Sequence, residues 1–107
     1  MKSHFAKLGE QLGVPFGPPE PIVRELGYQY LQAGRSELAI AGFRFNTEQH
    51  PQSAGAWDSL AEGLERRGEV NEALANCRKA VALAEAHGLP DVEAFRSHLS
   101  RLETIGK

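Results

Sequence analysis

Four histidines, one cysteine and scattered carboxylates are the side chains of this 107-residue chain with the chemistry to ligate a metal or attack a substrate. His4, His50, His87 and His98 stand far apart. No two are three or four residues from one another, the spacing that sets two imidazoles on one helix face as metal ligands. Cys77 falls on an apolar stripe with Ala73, Leu74, Ala80 and Val81, which reads as a buried small hydrophobe rather than a reactive thiol. As the single cysteine it has no partner in the chain for a disulfide. The sequence has no G-x-S-x-G elbow, G-x-G-x-x-G, H-E-x-x-H or P-loop, so an activated serine, a phosphate cradle and a zinc centre all lack their usual scaffold. The expectation is a non-enzyme with no catalytic residue, no cofactor and no metal. Asn46 and Asp58 are expected to hydrogen-bond helix ends and neighbouring backbone.

Composition narrows the partner. Twelve Lys and Arg against fourteen Asp and Glu leave a net charge of -2. No basic block is present to track a phosphate backbone, so nucleic acid is not expected as a partner. No apolar run reaches the roughly 18 residues that cross a bilayer, and the first residues lack the apolar stretch of a secretory signal. A cytoplasmic location away from membranes is expected.

The elements that position these residues are helices. Phe5, Leu8 and Leu12 predict a short N-terminal helix, followed by a breaker-rich stretch with Pro15, Gly17, Pro18, Pro19 and Pro21. Apolar spacing of three and four predicts a helix from Glu20 to Ala33, ended by Gly34, and a second from a Ser36 cap to Gln49, stopped by Pro51. Ser53 should cap a third helix, through Trp57, Leu60, Ala61 and Leu64 to Gly68. A fourth runs from Val70 to about Ala86, and Gly88 ends it. Beyond Pro90 and Asp91, Val92, Phe95, Leu99 and Leu102 give a last helix one apolar face, suited to close an open stack.

Leu26, Tyr30, Gly34, Ala39 and Phe43 recur 34 residues later as Leu60, Leu64, Gly68, Ala73 and Cys77. Glycine or alanine at 27, 39, 61 and 73 permits close helix approach, and glycine at 34 and 68 turns the chain. This period and these positions resemble the tetratricopeptide repeat. The resemblance implies an all-α chain: residues 1–19 as an N-terminal helix and Pro/Gly-rich linker, two helical hairpins over 20–88 (20–53 and 54–87) in a right-handed superhelix, and a capping helix over 89–107. Leu26 to Leu31, Phe43, Asn46, Pro51 and Trp57 to Leu60 also resemble the helical repeats at the C-terminus of bacterial serine hydrolases of the esterase and beta-lactamase type. That resemblance leaves a second reading open, a detached accessory or dimerisation domain of such an enzyme.

The repeat family implies a protein or peptide partner held in a groove lined by the first helix of each hairpin. Its register places Arg24, Tyr28, Leu31 and Gln32 there from repeat one, and Asp58, Glu62, Glu65 and Arg66 from repeat two. Arg96, with Leu99, would come from the cap. Three acids against Arg66 on the second wall favour a ligand with basic residues. Two repeats are few for a free-standing stack, so a homodimer through Phe5, Phe16 and Phe45 is a further expectation.

Overall fold

The computed structural model describes residues 20–105, and the expected N-terminal helix lies outside them. Five helices follow one another: α1 (Glu20–Gln32), α2 (Ser36–Gln49), α3 (Ala54–Arg66), α4 (Val70–Ala86) and α5 (Val92–Ile105). There is no strand among the described residues. Each helix packs on the next: α1 on α2, α2 on α3, α3 on α4, α4 on α5. This is the expected all-α helical repeat with a closing helix.

Three of the turns share one device. Gly34, Gly68 and Gly88 have φ of 78°, 87° and 62°, left-handed backbone that costs a side chain but not glycine. Each is followed by a residue whose amide reaches back over the helix end: Arg35 N–H to Tyr30 O at 2.8 Å, Glu69 N–H to Leu64 O at 2.9 Å, Leu89 N–H to Ala84 O at 2.9 Å. These bonds close Schellman caps and satisfy carbonyls that a helix end leaves bare. The connection between hairpins differs. There Pro51 follows α2, and the Ser53 side chain accepts the Ala56 amide at 3.2 Å to start α3.

Ser36 does not cap α2. It is the first helical residue, and Arg35 occupies the cap position with no side-chain bond to the helix. The Schellman turn sets this register, because its closing amide belongs to Arg35, which leaves helix geometry to begin one residue later.

The core runs through both hairpins as Leu31, Ala39, Ile40, Phe43, Leu60, Ala61, Leu64, Ala73, Cys77 and Leu102. At its centre the fully buried Phe43 ring is clasped between Gly27 of α1 and Gly63 of α3. Tyr28 meets the same ring edge-on at 5.2 Å. A second cluster, Ala54, Ala80, Ala84 and Phe95, fixes α5 against α4 and the start of α3.

Candidate functional site

A cleft of about 370 Å³ opens between α1, the start of α3 and the turn into α5. Arg24 and Tyr28 line one side, Ser53, Gly55, Asp58 and Ser59 the floor, and His87, Leu89, Asp91 and Phe95 the far side. Gly55 makes room for the arginine: a Cβ there would stand 3.2 Å from Nη1 of Arg24. The Arg24 Nε is buried and has no hydrogen-bond partner among the described residues. The Tyr28 hydroxyl lies 3.0 Å from the Ser59 hydroxyl and donates to Glu62 Oε1 at 3.1 Å. Burial, with the carboxylates of Glu62 and Asp58 nearby, pushes that phenol up to about 12 despite the Ser59 bond.

Behind the cleft floor, α3, α4 and α5 bring a second group of polar side chains together. His98 donates from Nδ1 to Asp58 Oδ1 at 2.7 Å and from Nε2 to Glu65 Oε1 at 3.1 Å. Its side chain is 10% exposed. With a carboxylate on each ring nitrogen the imidazole is held doubly protonated. The Asp58 bond foremost, then Cys77, the Asp58 charge and Glu65, raise it to about 10 against the opposing effect of burial. Burial would raise the Glu65 carboxyl, but bonds from Arg101 and His98 outweigh it and hold the group below its usual value. Cys77 Sγ completes the group, 3.9 Å from Asp58 Oδ1 and 3.8 Å from the Phe95 carbonyl. The thiol is fully buried, so no substrate reaches it as a nucleophile.

The sequence-derived groove residues therefore divide. Arg24, Tyr28 and Asp58 line the cleft, and Glu62 supports it through Tyr28. Leu31 is 6% exposed and belongs to the core, because α1 turns that position toward Ile40 and Phe43 rather than outward. Gln32 and Arg66 are exposed at the ends of their helices, outside the cleft lining. Glu65 is engaged by α5 through His98 and Arg101. Arg96 is engaged by Glu85 at 2.7 Å and by Glu93. Asp58 bonds His98 rather than a helix end, and the Asn46 amide, fully buried, has no side-chain partner among the described residues. His87, Leu89 and Asp91 went unread because a turn carries them, and helical periodicity says nothing about which face a turn presents.

No protein-family model matches the sequence, and no curated protein matches it. Among solved structures, the tetratricopeptide repeat domain protein of Salinibacter ruber superposes with a TM-score of 0.73 at 18% identity, covering 81% of this chain and 98% of that one. The fold is that of a tetratricopeptide repeat domain. Such a fold stacks helical hairpins, each in contact with its neighbours. In this chain the second hairpin carries the polar floor of the cleft, and α5 packs on α4 at the end of the stack. No helix among the described residues is long and apolar enough to cross a membrane.

Proposed function

We propose that the chain is a protein-interaction module, without catalysis, that holds a segment of a partner protein in the cleft between Arg24 and the α4–α5 turn. The observation that carries this reading is Arg24: a repeat scaffold presents, over an open cleft, a guanidinium whose Nε has no acceptor among the described residues. A carboxylate or carbonyl entering the cleft can accept from this guanidinium, and charge-assisted bonds of that kind are among the stronger ones.

The charge preference of the ligand shifts accordingly. Asp58 and Glu65, two of the three acids expected to attract basic residues, are already bonded to His98, and Glu65 to Arg101 as well. The segment that fits offers an acceptor, a carboxylate or a backbone carbonyl, to Arg24, and apolar contact to Leu89 and Phe95.

Panning a displayed peptide library on the purified chain tests this. Enriched peptides should carry an acidic residue and lose at least about tenfold in affinity, near 1.4 kcal/mol, against Arg24→Glu. Enriched peptides that bind Arg24→Glu as tightly as the unaltered protein would sink the cleft assignment.

A further inference from the structure

The sequence separates the metal-binding residue types, but the fold gathers three of them. Asp58 from α3, Cys77 from α4 and His98 from α5 each offer one donor atom, and all three atoms lie within 4.8 Å of one another. Tetrahedral zinc, bonded at about 2.0 Å to nitrogen and oxygen and about 2.3 Å to sulfur, spaces its donors roughly 3.2–3.8 Å apart. The edges from Asp58 Oδ1, 2.7 Å to His98 Nδ1 and 3.9 Å to Cys77 Sγ, bracket that range. The third edge, His98 to Cys77, is within 4.8 Å, so closing on an ion asks for side-chain rotation and no change of backbone.

Two further observations support a ligand set. A ligating histidine characteristically gives its other ring N–H to a carboxylate, which fixes ring and tautomer. Glu65 stands 3.1 Å from Nε2 in that role, and Arg101 holds Glu65 in turn. Second, Asp58 and Phe95 also line the cleft, and the Phe95 carbonyl lies 3.8 Å from Cys77 Sγ, so the cluster sits directly behind the cleft wall.

We propose that Asp58, Cys77 and His98 form a binding site for a thiophilic divalent cation of the zinc type, with Glu65 orienting His98. Thiolate, imidazole and carboxylate together select such an ion over magnesium or calcium, which take all-oxygen shells. On binding, the Cys77 thiol and His98 Nδ1 each give up a proton, and the Nε2–H stays on Glu65. Three protein donors leave the fourth position to water. The ion would tie α5 to the second hairpin, replacing the hydrogen bond that now joins Asp58 and His98.

The single cysteine makes the test specific. The full chain, reduced and stripped with a chelator, is titrated with cobalt(II). One equivalent should develop the thiolate-to-cobalt charge-transfer absorption and the visible bands of a tetrahedral ion, and zinc should erase both. Zinc at about 100 times its dissociation constant should raise the melting temperature by about 10 °C. Cys77→Ala keeps a small buried side chain and Asp58→Asn keeps its shape, so both should stay helical by circular dichroism. The first should lose the charge-transfer band and the zinc-dependent shift, the second at least about tenfold in cobalt affinity. Absence of the band in the unaltered chain, or an undiminished melting shift in Cys77→Ala, would show that the cluster is an ion-pair network alone and overturn the proposal.

Discussion

Phe43 fills the space that a side chain at Gly27 would need. A Cβ built on Gly27 would lie 2.7 Å from Cζ of Phe43 and 2.9 Å from Cδ1, with Cε1 nearer still. The ring is fully buried and has nowhere to retreat. Gly27→Ala gains about 1 kcal/mol in helix propensity, but the overlap costs more. A net loss of about 1–3 kcal/mol in urea unfolding is expected. Gly63→Ala is the milder change, since its Cβ would stand 3.1 Å from the same ring. Its cost should be smaller by about 1 kcal/mol, and equal losses for the two variants would contradict the clasp.

The two serines ahead of helices should respond differently. Ser53→Ala removes the acceptor for the Ala56 amide and should cost about 1 kcal/mol. Ser36→Ala removes no capping bond, and its effect should stay within about 0.5 kcal/mol. Chemical denaturation of the pair reads the difference directly.

Stability of chelator-treated protein should fall at alkaline pH. The groups facing His98 are Asp58 and Glu65 of α3 and Cys77 of α4, with Arg101 of its own helix behind Glu65. The imidazole titrates near 10 in the fold and near 6.5 in the unfolded chain, so its contribution is complete below 6.5 and disappears as pH rises through 10. Glu65 acts in the opposite sense: its carboxyl is lowered in the fold, so its contribution is present above about 4.5 and lost on acidification. Urea midpoints measured from pH 4 to pH 10 should therefore peak on the acid side of neutral. In His98→Gln the alkaline decline should largely vanish.

Asn46 offers an unusual opportunity to gain stability. Its amide is fully buried and neither Nδ2 nor Oδ1 has a partner among the described residues. Leucine repeats the branched four-atom skeleton without polar atoms. Its methyls are bulkier, but removing two unpartnered polar atoms should outweigh the repacking, so Asn46→Leu should raise stability by about 1 kcal/mol in a thermal melt. A loss instead would mean that overpacking by the larger side chain outweighs the polar gain.

The helices were legible because Gly34, Gly68 and Gly88 mark three ends and the apolar spacing of three and four marks the faces between them. The four helices of the two hairpins match the expected spans to within a residue, because caps and breakers act locally. The cleft was only half legible. Arg24, Tyr28 and Asp58 follow from helical register, whereas His87 and Asp91 arrive through a turn. Least legible was the gathering of Asp58, Cys77 and His98, 19 and 21 residues apart along the chain. Their meeting depends on how α3, α4 and α5 cross, which no local pattern encodes.

The clasp on Phe43 also bears on how the molecule comes apart. One ring is shared between the first helix of repeat one and the first helix of repeat two, although it belongs to neither. Opening either hairpin strips a wall from that ring and exposes it to water, so the neighbour loses packing at the same moment. Stacked repeats often melt from one end, each unit nearly independent. Here a single aromatic side chain links the two hairpins into one cooperative unit, and amide protons of α1 and α3 should exchange at matching rates.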